Sequence, residues 1–403
     1  MNDSPPGGRP LRLAWVSPIT PTKLDSVTWL DTTRELRRLG MDVTLLAAGQ
    51  PAGRHSYRGI EVVNIPRPEI YFVSRLVFHL RVLLYLWPRL SQLDFILFHP
   101  ISAIWLFPLR LAGRRRPRLV MDSRDLLDFG NRSLKARLRN ALERLTYRLA
   151  TRLADGQTAI TPRLAQLVGI PPRQLWGIWP SGVNPEAFAV ARAERQPPSP
   201  GEPLRLVYAG IFLEQRHLLP LARAVRRAND EGMAFRLSLY GDGPYRPALE
   251  AYAAEAGDCV RVERPIPYDA IPSMLAAADI GVTSLPSPDD VKYEASSPLK
   301  LFEYMAAALP VLATSNRCHT DVVGAGGYAF WAAAPTEEEL LAALRQAWAA
   351  RDRLTALGEE AYRAVADWTW AASARKLYQA LEGGLGRAPA AAPVAAAPRR
   401  AGR

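Results

Sequence analysis

Only two cysteines, Cys259 and Cys318, occur in 403 residues. They are too few for a disulfide framework and lack metal-ligand spacing, which fits a reduced, cytoplasmic setting. No run of about 20 uncharged apolar residues exists, so no spanning helix is expected. The first twenty residues, MNDSPPGGRPLRLAWVSPIT, contain no apolar run after their first basic residue and make a poor signal peptide. Asp-x-Asp metal motifs are missing, and no divalent ion or other cofactor is expected. Basic and aromatic residues are not interleaved as in a nucleic-acid platform, so nucleic-acid binding is not expected either.

What is present is globular. Hydrophobic residues make up 48% of the chain and charged residues 22%, which rules out disorder over most of its length. A chain of 403 residues accommodates two domains of about 150 to 200 residues. The formal charge of +12 is uneven: residues 1–190 hold 27 Lys/Arg against 14 Asp/Glu, and the remainder holds 24 against 25. Such a split suggests that only the first half meets an anionic surface.

Short apolar runs alternate with helical stretches along both halves. Leu11 to Pro18, Met41 to Ala47, Asp94 to Phe98 and Arg118 to Met121 read as strands, with an amphipathic helix over Asp31 to Gly40. A second set follows the Pro-rich stretch Gln196 to Pro203: Leu204 to Tyr208, Phe235 to Tyr240, Cys259 to Val262, Ile280 to Thr283 and Val311 to Ala313. Strand and helix alternation implies parallel βαβ units with helices on both sheet faces. The expected organisation is a first domain over 1–190, a second over 191–383, and a disordered Ala/Pro-rich tail over 384–403.

The most informative segment is SSPLKLFEYMAAALPV, Ser296 to Val311. Pro298 suits a first helical turn, and Lys300 and Glu303 share a face three residues apart. Free N–H groups at that helix start suit a phosphate. The segment resembles the donor-site signature of retaining glycosyltransferases of family 4. That resemblance implies the GT-B fold, two Rossmann-like domains facing each other across a cleft, and a nucleoside-diphosphate sugar as donor. It implies that Glu303 accepts the ribose hydroxyls and that Ser297, Pro298, Leu299 and Lys300 border the phosphates. The family's other glutamate has no counterpart, because Ala295 stands at its position and Glu294 is one residue out of register.

Tyr208-Ala-Gly210, leading to Arg216, is similar to the family's strand, glycine and basic loop. Gly210 then admits close backbone approach, and Arg216, with Lys300, neutralises the leaving diphosphate. Gly241-Asp-Gly-Pro244 resembles the Gly-x-Gly-Pro turn and reads equally as loop chemistry. Arg264 to Ile266 falls where the base pocket is lined by backbone, which makes Ile266 a binding residue. In the first half, PSGVNPEAF (Pro180 to Phe188) resembles the segment that closes the first domain, with Gly182 needed for its backbone. Asp122-Ser-Arg-Asp125 resembles an Asp-x-Arg-Asp element, giving Asp122 and Asp125 as candidates to orient acceptor or sugar, or as helix caps.

The implied partners are a nucleotide sugar and a glycan or lipid-linked acceptor. The aromatic-apolar stretch Tyr71 to Leu90, the Arg-rich amphipathic stretch Leu134 to Leu153 and Arg114-Arg115-Arg116 add peripheral contact with an anionic membrane at its inner face. Core packing explains the apolar faces equally well. Two rivals remain: a sugar-nucleotide epimerase of the same fold, which needs cleft histidines where only five exist in the chain, and an inactive sugar-nucleotide-binding protein.

Overall fold

A computed structural model describes residues 9–21, 27–113, 116–126, 141, 147–148, 150–196 and 201–386. The first sheet contains β1 (Arg12–Ser17), β2 (Asp42–Ala48), β3 (Gly53–Tyr57), β4 (Ile60–Ile65), β5 (Phe95–Phe98), β6 (Arg118–Ser123), β7 (Gly156–Ala159) and β8 (Leu175–Ile178). Their order is β3-β4-β2-β1-β5-β6-β7-β8, parallel except for the β3–β4 hairpin. The second contains β9 (Leu204–Ala209), β10 (Phe235–Tyr240), β11 (Val260–Glu263), β12 (Ile280–Val282), β13 (Val311–Thr314) and β14 (Ala329–Ala332). Its order, β11-β10-β9-β12-β13-β14, is wholly parallel. Strands such as FILF in β5 are buried along their whole length, as parallel strands covered on both faces must be. The expected pair of doubly wound domains is therefore what the chain forms.

In each sheet the winding reverses beside its first strand, between β1 and β5 and again between β9 and β12. Connections leave to opposite faces there, which opens a crevice at the C-terminal strand ends.

Two features depart from the sequence reading. The β3–β4 hairpin turns on Arg58 and Gly59, whose φ angles of 51° and 76° are both positive. Arginine is an unusual occupant of that conformation, so no turn signal is visible in the sequence. The other departure concerns the last helix, Trp370–Gly384, which had been assigned to the second domain. It crosses back and packs on helix Val27–Arg38 and β8. Ala374, Leu377 and Leu381 join Leu13, Trp15, Leu30 and Trp179 in one core, because their helical spacing offers the first sheet a continuous apolar stripe.

The return runs beside the outward crossover. Val183 donates to Trp368 O at 3.0 Å, and Trp370 donates to Val183 O at 3.1 Å. A Cβ on Gly182 would lie 2.5 Å from the Thr369 carbonyl carbon, so only glycine fits between the two crossing segments. Most of the Leu134 to Leu153 stretch, Arg114, Arg115 and residues 387–403 lie outside the described residues. Among the described residues no helix is long and apolar enough to cross a membrane.

Candidate active site

At the C-terminal end of β9, Gly210 adopts φ +153°, and a Cβ there would lie 2.6 Å from Lys300 Cε and 2.7 Å from its Nζ. The Lys300 ammonium therefore rests against Gly210 and 5.3 Å from the centre of the Tyr208 ring. The Gly241-Asp-Gly turn supports this loop from behind. Gly210 donates to Tyr240 O and Phe212 to Asp242 O, both at 2.8 Å. A Cβ on Gly241 would collide with Gly210 O at 1.9 Å, so that turn acts on the site through loop packing.

Arg216 ends a short 3-10 turn, Glu214–Arg216, and the next residue, His217, has φ +52°. The guanidinium donates to Ser284 Oγ at 2.7 Å, just beyond β12, and lies 5.1 Å from the Tyr293 ring centre. Its Nε is buried without a partner. An inward cation with an unpaired N–H suits an anionic oxygen.

Pro298 is the N-cap of helix Leu299–Ala306, which places the Leu299 and Lys300 N–H groups in the unsatisfied first turn. Tyr304 pins the helix across β12, donating to Val282 O at 3.0 Å, where Gly281 leaves room for the ring. The carbonyl end is capped by side chains that the sequence reading missed. Arg192 donates to Ala306 O at 2.8 Å, and Arg195 donates to Ala307 O and Ala308 O. Two cations at a helix C-terminus complement its dipole and fix the helix whose other end faces the cleft.

Glu303 sits one turn into the helix, where the nearby Tyr268 hydroxyl favours its charged form. Ile266 is half-buried on the loop leading to Tyr268. Ser297 reaches the first domain, its Oγ accepting from the Ser181 N–H at 3.0 Å. Ala295 is buried against Ile160 and Leu164, and its carbonyl accepts from Thr161 Oγ1 at 2.9 Å. Glu294 turns away to Arg163 at 2.8 Å. The position that carries the other glutamate in the resembled family is thus an apolar interdomain contact.

Across the cleft, Asp122 turns into the fold. It is 3% exposed, and its Oδ1 accepts from Thr158 Oγ1 at 2.7 Å and Trp179 Nε1 at 2.9 Å. Its role is to tie β6, β7 and the segment after β8 together. Asp125 is exposed beyond the strand end and remains available. Arg124 stacks 3.8 Å from the Trp179 ring centre. Beside them His99 follows β5, its basicity lowered by burial and by Arg124 and Arg75 but supported by Asp125. No motif marked His99; only the strand order brings it next to Asp125.

Burial, then Arg216, lowers Lys300 to about 8 against the pull of Glu303. Burial raises Glu303 to about 7 against Lys300 and the Tyr268 hydrogen bond. Below pH 8 charged Lys300 costs folding stability, and above pH 7 charged Glu303 does so. A bound diphosphate would relieve the first cost, and ribose hydroxyls the second. Affinity for a nucleoside diphosphate is accordingly expected to peak between about pH 7 and 8, with proton uptake on binding above pH 8. Calorimetry in buffers of different ionisation enthalpy checks this, and pH-independent affinity from 6 to 9 contradicts it.

Each half of the chain also matches a known domain family. Residues 26–175 match the glycosyl transferase 4-like domain, and residues 203–350 match the glycosyl transferases group 1 domain. Each half thus matches a glycosyltransferase domain family, and the two sheets together have the GT-B fold. The putative colanic acid biosynthesis glycosyltransferase WcaL of Salmonella typhimurium is 28% identical over 185 residues, 41% of this chain and 45% of that protein. The chain thus spans about half the length of the curated relatives it matches. The structure of sucrose-phosphate synthase from Thermosynechococcus elongatus superposes with a TM-score of 0.73 at 18% identity, covering 94% of this chain and all of that one. Anabaena Alr3699/HepE, solved with UDP-glucose, gives 0.69 at 14% identity, covering 93% of this chain and all of that one.

Proposed function

We propose that this GT-B protein transfers a glycosyl group from a nucleoside-diphosphate sugar to a glycan or lipid-linked acceptor, retaining the anomeric configuration. The supporting observation is the convergence of Lys300 and Arg216 beside Gly210, at the N-terminus of the helix that bears Glu303. Breaking the bond from the anomeric carbon to the diphosphate places growing negative charge on the leaving oxygens. Lys300, Arg216 and the first-turn amides of Leu299 and Lys300 stabilise it, while Glu303 accepts the ribose hydroxyls. The base lies along the Ile266 loop. The acceptor hydroxyl enters on the face the diphosphate leaves, beside Asp125 and His99, and passes its proton to the departing oxygen.

Two cations supply the charge that a divalent ion supplies elsewhere, so activity in chelator belongs to the proposal. The reaction is placed in the cytoplasm, at the inner membrane face when the acceptor is lipid-linked.

Free nucleoside diphosphate appearing only when acceptor is added, with product and donor sharing one anomeric configuration by NMR, is the expected result. Isomerised donor without acceptor would instead indicate an epimerase. Glu303→Gln is expected to weaken donor binding by about 1.5 to 3 kcal/mol, the contribution of a charge-assisted hydrogen bond. Unchanged donor affinity in calorimetry removes Glu303 from the site.

A further inference from the structure

Helix Tyr71–Leu86 of the first domain carries no acid and only two charged residues, Arg75 and Arg81. Its inner side is buried through Ser74, Phe78, Val82 and Leu86. Its outer side carries Val73, Leu76, Leu80, Leu84 and Trp87 at intervals of three and four, so they form one stripe. Leu80 is 53% exposed, Leu84 68% and Trp87 50%. Ile104, Phe107 and Leu111, on the neighbouring turns Ala103–Leu106 and Phe107–Ala112, are exposed as well. Together with Ile70, these are nine of the twelve large apolar side chains exposed among the described residues. Single exposed apolar residues are ordinary; this concentration is an interaction surface.

The surface is rigid. His79 stacks on Trp105 with centroids 5.6 Å apart and bonds Ser102 Oγ at 2.9 Å, fastening the two helical segments together. Burial lowers His79 to about 4, so this fastener is uncharged near neutrality.

Charge identifies the occupant. From Ile70 to Gly113 the sequence holds four arginines and one acid, Asp94, which already bonds Arg9 at 2.7 Å. Arg81 and Arg89 are exposed, donate to the carbonyls of Pro66 and Tyr85, and form no ion pair among the described residues, Arg89 also lying 4.2 Å from the Tyr85 ring centre. An apolar stripe edged with unpaired guanidinium groups complements acyl chains beneath anionic headgroups.

The topology gives the surface an orientation. Helix Tyr71–Leu86 follows β4, and the turn Pro100–Ser102 follows β5, so both begin at the C-terminal strand ends. His99 and Asp125 lie at that same edge, on the acceptor side of the cleft. A bilayer against the stripe is therefore adjacent to the cleft mouth.

We propose that the face formed by helix Tyr71–Leu86 and residues 103–112 docks the first domain on an anionic lipid bilayer. This deepens the lipid-linked acceptor named above and rests on that reading for its purpose, while the docking itself is measured independently of transfer.

The experiment is co-sedimentation of the full chain with phosphatidylcholine vesicles, with and without phosphatidylglycerol, at low and high salt. Binding to the anionic vesicles is expected, with at least about a tenfold loss in Leu80→Glu/Leu84→Glu. Because both positions are exposed, the melting curve of that variant should not change. Arg81→Ser/Arg89→Ser should lose the preference for anionic lipid while keeping the fold. Wild-type protein that stays in the supernatant at low salt, or a Leu80→Glu/Leu84→Glu variant that pellets normally, overturns the proposal. So does a wild-type dimer that this variant dissociates while vesicle binding persists. Donor calorimetry on the same preparations keeps the two readings apart: retained donor binding without vesicle binding removes only the docking face.

Discussion

Lys300→Ala and Arg216→Ala are each expected to lower turnover by about 10² to 10³-fold, roughly 2.7 to 4 kcal/mol of transition-state stabilisation. In the proposed reaction both cations face a charge that grows as the glycosyl bond breaks, so their effect falls more on turnover than on donor affinity. The double variant should fall short of the product of the single effects, because the two groups act on one diphosphate. Folding should not suffer in Lys300→Ala. Burial and Arg216 already disfavour its charge, so removing it leaves the melting point level or higher. Single-turnover kinetics with saturating donor measures the effect directly. Wild-type turnover per bound donor in either variant contradicts the leaving-group role.

Asp122→Ala has the largest expected effect on stability, a loss of about 3 kcal/mol: the buried Thr158 hydroxyl loses its acceptor, and Trp179 Nε1 keeps only its longer contact to Thr158 Oγ1 at 3.3 Å. Thr158 and Trp179 are fully buried, and Arg124 sits 3.8 Å from the same carboxylate. Burial raises the Asp122 carboxyl above its ordinary value, so its charge is not what stabilises the fold. Asp122→Asn keeps the accepting oxygen and is expected to unfold near the wild-type denaturant midpoint. Urea titration of both variants checks the pair. A fully stable but inactive Asp122→Ala would return Asp122 to the chemistry.

The candidate donor site was legible because it is nearly local in sequence. Pro298, Lys300 and Glu303 lie within two helical turns, and Gly210 and Arg216 are six residues apart. Helix geometry and one glycine determine most of that arrangement, in which Lys300 rests against Gly210 and interacts with Arg216 and Glu303. The acceptor half was less legible because it is assembled by strand order. His99 meets Asp125 only because β5 and β6 are neighbours, and Asp122 turns inward because Trp179, 57 residues later, occupies its lower side. A short spacing pattern does not report which face of a strand end is filled. The returning helix Trp370–Gly384 was misassigned for a related reason: amphipathicity shows that a helix is covered, but not by which sheet. Arg192 and Arg195 read as ordinary solvated charges until the helix they cap is placed beside them.

In the proposed enzyme Lys300, Arg216 and Glu303 form one binding site for a nucleoside diphosphate. Thermal unfolding in the presence of a panel of nucleoside diphosphates and their sugars tests it most directly. A ligand at about a hundred times its dissociation constant stabilises the native state by about 2.7 kcal/mol. At least one of the panel is expected to raise the wild-type melting temperature, and the same compound should have much less effect on Lys300→Ala and Glu303→Gln. A panel that leaves the wild type unmoved, or that moves all three proteins equally, contradicts the assignment.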